Sequence, residues 1–262
     1  MTAALETSSR GSIAARVNPV AKLLAAAIIT FALLPSIDWV SATVALALES
    51  VLFLFAGLTP RRFFLHTLPV WIAAPFAAVT ILLYGRPSGA SYLRFWLIDI
   101  SDGSIELSIA TLLRVLAIGL PAVVLFVTID PTDLADALAQ VLRLPSRFVI
   151  GALGGMRLVG LFADDWRALE SARRARGIAD RGRIRRFGGQ AFALLVISIR
   201  RGSKLATAME ARGFGGSTKR SWARRSHLGP IDAVLVLIAL AIGAAAITVS
   251  VASGNWNVIV GG

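Results

Sequence analysis

Cysteine is absent from this chain, which excludes disulfide cross-links and all chemistry that runs on a thiolate. Histidine occurs only at His66 and His227, too few for a histidine-based metal site, so neither metal nor cofactor is expected. No Gly-Lys dipeptide occurs. Without it there is no phosphate-cradling Walker A loop, and ATP hydrolysis by this chain is excluded. A His-Glu-x-x-His zinc signature is missing, and two histidines do not assemble into a Ser/His/Asp arrangement. No catalytic residue is expected, and the chain reads as a non-enzyme. Charge is scarce as well, at 16% of residues against about 25% in soluble domains.

What fills the chain is apolar sequence. Hydrophobic residues make up 56% of the 262 positions, and the mean hydropathy is +0.74. The apolar residues come in blocks of about 15–25, the length that crosses a hydrocarbon core as a helix. They do not alternate every second residue as barrel strands do. The chain is therefore an all-α integral membrane protein, long enough for one compact bundle and one polar region.

Residues 1–17 are polar and form a flexible N-terminus. Residues 18–129 hold four predicted spans. Val20–Leu34 and Trp39–Leu58 form a hairpin across the turn Pro35-Ser36-Ile37-Asp38, a reading preferred to a cleaved signal because apolar character resumes at once. Thr59-Pro60-Arg61-Arg62 reads as a basic, helix-breaking loop. A third span runs from His66 to Tyr84, with Pro69 and Pro75 inside it, and a fourth from Ile105 to Ile129. Gly85–Ser104 between them reads as a loop whose Tyr92, Phe95 and Trp96 suit a membrane–water boundary.

Residues 130–227 form the polar region. Thr132–Leu144 has apolar residues every three or four positions and predicts a short amphipathic helix. Phe148–Phe162 and Ala191–Ile199 are too short and too closely flanked by charge to cross a bilayer cleanly. They predict two long amphipathic helices lying against the bundle, with arginines on their other faces. Ile231–Ala252 is a fifth span, so residues 228–262 comprise this helix and an external tail.

From Arg157 to Arg225 there are 17 Lys/Arg against 5 Asp/Glu, a net of +12 that equals the charge of the whole chain. A basic stretch suggests nucleic acid in a soluble chain. Here the chain reads as an integral membrane protein, for which a basic stretch is the ordinary mark of a cytoplasmic segment, and no nucleic-acid partner is expected. Cytoplasmic loops collect Lys and Arg, so the N-terminus is placed inside and the C-terminus outside a prokaryotic cell membrane.

Within this stretch one hexapeptide pattern occurs twice. Ala172-Arg173-Arg174-Ala175-Arg176-Gly177 is followed by Ile178, and Ala208-Met209-Glu210-Ala211-Arg212-Gly213 by Phe214. An arginine in a helix's last turn complements the dipole, and the following glycine supplies the left-handed residue that stops the helix. Such a stop also fixes where the arginine points, so the structural and functional readings cooperate.

The paired Ala-x-x-Ala-Arg-Gly pattern resembles the signature of the transmembrane T component of energy-coupling factor (ECF) transporters, ABC-class importers of vitamins and transition-metal ions. Asn18-Pro19-Val20-Ala21-Lys22-Leu23 resembles that family's opening, and Leu113-Arg114 through Thr128, Pro131, Asp133-Leu134, Ala137-Leu138 and Leu144-Pro145 resembles the stretch before its coupling region. The resemblance covers roughly residues 18–250. It implies two ATP-binding-cassette ATPase partners, each receiving one arginine in an acidic groove, and a small membrane subunit that binds the substrate. Carried over by position, the ATPase-coupling residues are Ala172, Ala175, Arg176, Gly177, Ala208, Ala211, Arg212 and Gly213.

Two charges, Glu49 and Arg114, fall inside predicted spans, where an ionisable residue is a functional suspect. They are expected to pair and fix helix packing, with Glu106 as an alternative partner for Arg114. A self-sufficient carrier using Glu49 and Arg114, or a scaffold presenting a basic face to anionic lipid, are the rival readings.

Overall fold

The computed structural model describes residues 16–55, 59–85, 88–95, 98–177, 182–216, 221–222 and 224–256. Among them are eight helices and one β-hairpin. Helices α1 (Pro19–Leu33), α2 (Trp39–Phe55) and α3 (Pro60–Tyr84) precede strands β1 (Ser91–Phe95) and β2 (Ile98–Ser101). Helices α4 (Asp102–Val127), α5 (Pro131–Gln140), α6 (Ser146–Ala175), α7 (Arg183–Ala211) and α8 (Pro230–Ala252) follow. The chain divides into two compact units. One contains the described residues up to Ala137 together with those from Ser226 onward, and the other is Leu138–Arg225.

In the first unit α4 packs against α1, α2 and α3, while α8 packs against α1 and α2. The buried residues at the centre are mostly small: Ala25, Ala45, Ala117, Ala239 and Ala246, with Ile29, Leu33 and Ile242 between them. Lipid is as apolar as leucine, so helices associate there through close backbone approach. Gly119 shows the closeness, since a Cβ at that position would stand 2.6 Å from a Val70 methyl. Large apolar side chains such as Phe31, Leu54 and Phe76 are exposed instead, as a lipid-facing surface requires.

Buried polar contacts tie α8 to the N-terminal hairpin at both ends. Asn18 caps α1 by accepting from the Val20 amide (3.0 Å). Its own amide donates to Asp232 of α8 (2.6 Å), and its side chain donates to Ser226 (2.9 Å). At the other end Asp38 accepts from the Ser41 amide (2.7 Å), the Ser41 hydroxyl (2.8 Å) and the Ser250 hydroxyl of α8 (2.6 Å). Burial alone would raise the Asp38 pKa, but these donors outweigh it and hold the carboxyl below its ordinary value.

Two local expectations are corrected. Pro60 does not break a helix but begins one, since its missing N–H is harmless at the first helical position. Arg61 and Arg62 thus lie in the first turn of α3. The segment Gly85–Ser104 is not a plain loop, because β1 and β2 pair antiparallel with Arg94 opposite Asp99. Leu93, Phe95, Ile98 and Ile100 favour strands, but Trp96-Leu97 lacks the Asn-Gly or Asp-Gly chemistry that announces a two-residue hairpin turn. Ser101 then starts α4 through a reciprocal capping box with Ser104. Tyr92 donates to Asp102 (2.8 Å), while Trp96 lies outside the described residues.

By length and composition α3, α4, α6 and α8 are apolar enough to cross a membrane. Helices α1 and α2, with 15 and 17 residues, extend about 22 and 26 Å against a core of about 30 Å. Helix α6 qualifies although Phe148–Phe162 alone looked too short, because the apolar stretch opens a continuous 30-residue helix.

Asp38→Asn should lower stability in detergent by roughly 1–3 kcal/mol, since the amide cannot replace the buried acceptor set. A carboxyl with a depressed folded pKa stabilises above its unfolded value, near 3.8, and ceases to do so as pH falls through the folded one. The gap in melting temperature between wild type and variant should therefore be full at neutral pH and close below about pH 4. A gap that widens on acidification would contradict this account.

Candidate functional site

The two Ala-x-x-Ala-Arg-Gly stretches are the two C-termini of α6 and α7. Ala175 is the last residue of α6, Arg176 caps it, and Gly177 turns to φ +68°. Ala211, Arg212 and Gly213 do the same for α7, with Gly213 at φ +79°. The two arginines share a backbone conformation, φ −88° and ψ 2° against φ −90° and ψ 12°. The Gly177 amide donates to the Arg174 carbonyl (3.0 Å), and the Gly213 amide to that of Glu210 (2.9 Å). A further bond from the Phe214 amide to the Met209 carbonyl (2.9 Å) completes a Schellman stop on α7. Ile178, the counterpart of Phe214, lies outside the described residues.

Helical spacing then sets the surface beside each arginine. Ala172 and Ala175 are three apart and share a face with Arg176, as Ala208 and Ala211 do with Arg212. All six are exposed. Each arginine therefore rises from a patch of bare methyl groups, where another backbone can approach closely. Arg176 and Arg212 form no ion pair among the described residues, whereas Arg174 meets Glu170 (2.7 Å) and Arg167 meets Asp164 (3.3 Å).

Helices α6 and α7 run in opposite senses. Arg201 of α7 clamps Asp165 of α6 with two bonds of 2.6 and 3.0 Å. Leu205 approaches Gly154 on one side of that clamp, and Arg173 approaches Gly189 on the other. Trp166 and Phe187 meet in a tilted aromatic contact with ring centroids 5.4 Å apart. Residue numbers rise along α6 as they fall along α7. The two arginine-tipped ends consequently point away from each other, separated by on the order of 40 Å of helix. Sequence reasoning did not find the Arg201–Asp165 clamp, because 36 residues separate the partners and neither stands in a recurring pattern.

The expected pairing of Glu49 with Arg114 does not form. Arg114 donates instead to the Leu34 carbonyl at the end of α1, near Asp38. Glu49 lies 11 positions beyond Asp38, about 16 Å further along α2, out of reach of a guanidinium held at that turn. Nor does Glu106 engage Arg114 among the described residues; it is exposed. Glu49 is 1% exposed, and neither carboxyl oxygen has a hydrogen-bond partner among the described residues. Lys22, whose place in the opening hexapeptide the sequence left unexplained, donates to the Thr128 carbonyl (3.0 Å), with Asp133 and Asp232 close enough to attract it. His66 bonds to the Arg62 carbonyl one turn before it (2.7 Å).

The sequence matches the cobalt transport protein family, CbiQ, over residues 10–222. It is similar to the energy-coupling factor transporter transmembrane protein EcfT of Exiguobacterium sibiricum, 27% identical over 197 residues that cover 70% of this chain and 74% of the relative. The EcfT of Limosilactobacillus fermentum is 25% identical over 202 residues, covering 70% and 72%. That of Streptococcus equi subsp. equi is 24% identical over 245 residues, covering 88% and 90%.

Gly177→Val and Gly213→Val place a β-branched residue in left-handed backbone and should each destabilise the local helix end by about 1–2 kcal/mol. The expected readout is faster amide exchange over the last turn of α6 or α7, with the membrane bundle unchanged. Asn at the same positions tolerates that backbone and should remain near wild type. Equal protection in the Val and Gly forms would show that these glycines do not set the helix ends.

Proposed function

This chain belongs to the cobalt transport protein family CbiQ, and from that membership we propose that it is the energy-coupling membrane subunit of an ATP-driven ECF importer for a vitamin or transition-metal ion. The observation that carries the reading is the repeated Arg-Gly helix end, displayed twice, in one geometry, at opposite extremes of a clamped helix pair. A pair of like ATPases requires two like docking points. The exposed apolar side chains of the same helices, among them Phe148, Val159, Phe192 and Ile199, offer surface for a protein partner to cover. Named EcfT relatives support the same assignment.

In this reading Arg176 and Arg212 each enter a carboxylate-lined groove on one ATPase, and the alanine methyls beside them allow contact. A charge-assisted, bidentate contact is strong and directional. ATP binding draws the two ATPases together, the helix ends move with them, and the Arg201–Asp165 clamp transmits the motion between α6 and α7. A separate small membrane subunit binds the substrate and is reoriented. The basic region faces the cytoplasm, and five spans, α1 to α4 and α8, place the N-terminus inside and the C-terminus outside.

Arg176→Ala or Arg212→Ala alone should lower transport steeply while part of the complex survives purification, since losing one such contact costs roughly 2–5 kcal/mol at one site. Arg176→Glu with Arg212→Glu should release both ATPases. Arg174→Ala and Arg167→Ala, which remove exposed charges, should act weakly. Normal co-purification and transport by the double glutamate variant would reduce the two motifs to helix stops. Gradient-driven uptake by this chain alone in liposomes would favour a secondary carrier.

Topology gives an independent check. The chain has no native cysteine, so a cysteine at Ser88 or Ser253 should react with an impermeant reagent from outside, and one at Ser221 should not. External labelling at Ser221 would invert the orientation.

A further inference from the structure

Four helices of the first unit, α1, α2, α4 and α8, line a partly open cavity of about 400 Å³. Its walls are aliphatic and aromatic, with Ala25, Ile29, Phe53, Val124 and Leu235 prominent among them. Exposed Ile231 and Val234 stand at one edge. Among the described lining residues, Glu49 is the one acidic and Lys22 the one basic residue. Lys22 is engaged, donating to the Thr128 carbonyl with two carboxylates near it. Glu49 is not: it is 1% exposed, and both its oxygens lack a partner among the described residues.

A buried polar group without a partner destabilises a fold unless something satisfies it. Walls this apolar do not hold a chain of water molecules, which need two to four polar contacts each. The volume falls in the range of about 300–1,000 Å³ that small-molecule sites occupy. Such sites combine a greasy body with one or a few polar groups that fix orientation. The free polar group is a carboxyl, whose oxygens accept hydrogen bonds from a donor head. We propose that this cavity binds a small apolar molecule carrying a single amine head, the head donating to Glu49 and the body filling the space between α1, α4 and α8. The site is independent of the ATPase-coupling reading, since it uses none of the residues assigned to it.

The test uses the full chain in phosphatidylcholine nanodiscs and three ligands on one hydrocarbon cage: 1-adamantylamine, 1-adamantanol and adamantane-1-carboxylate. Dicyclohexylcarbodiimide, an apolar carboxyl reagent, should modify Glu49, as located by mass spectrometry. The amine should protect Glu49 saturably, the alcohol less, and the carboxylate not at all. Glu49→Gln should weaken amine binding at least tenfold by equilibrium dialysis. Leu235→Trp, which retains Glu49 but fills the cavity, should weaken it comparably and serves if the first variant misfolds. Replacing the lipid with phosphatidylethanolamine separates two sources of the head group. Protection of Glu49 without added ligand identifies an aminolipid, and unchanged labelling that adamantylamine still blocks identifies a free amine. Equal binding of amine and carboxylate, or undiminished amine binding in both variants, would overturn the proposal.

Discussion

Two buried carboxylates close the membrane unit. Asp232 holds the Asn18 amide at one end of α8 and Asp38 holds the Ser250 hydroxyl at the other, across 214 and 212 residues of sequence. Between those fixed ends the packing is nearly all methyl and small side chain, which gives close contact but little direction. Polar bonds in an apolar medium supply the missing specificity, because a wrong register would strand a donor or a carboxylate where no water can reach it. The positions of α1, α2 and α8, and therefore the cavity they share with α4, follow from these anchors.

The second unit solves a different problem. Its helices bury little of their own surface: Val149 is the one buried residue of α6 in the described set. A helix pair with so small a shared core needs a directional fastener, and the bidentate Arg201–Asp165 bond provides one. The glycine stops then end each helix at a defined residue, so that the preceding arginine leaves from a fixed point. Rigidity is concentrated at the crossing and at the tips, leaving the apolar faces available for a partner.

Much of this could be read from the residues in order. The apolar blocks marked the helices of the membrane unit, and the two Ala-Arg-Gly stretches marked the ends of α6 and α7, because a left-handed glycine after a cation is a local signal. Contacts made at long range were not legible. Nothing near Arg114 says that it reaches the Leu34 carbonyl instead of Glu49, and nothing near Asp165 points to Arg201. Pro60 was misread for a related reason: proline ends one helix and begins another with the same ring, and the neighbours decide which. The hairpin β1–β2 was hidden by an unorthodox turn sequence. For Asn18 and Lys22 the opening hexapeptide carried the resemblance, while their physical role emerged only when α8 and the Thr128 carbonyl came beside them.

The fastening of α8 to the first hairpin also imposes an order on biogenesis. The Asn18 amide and the Asp38 carboxylate are made more than two hundred residues before the groups that complete them. During that interval α1 and α2 have a charged group at the turn and an open flank where α8 belongs. The bundle is thus assembled by a late-arriving keystone: the arginine-bearing helices are synthesised while the membrane unit is still ajar. A nascent chain halted before α8 would expose both anchors to lipid, a state that membrane quality control can recognise.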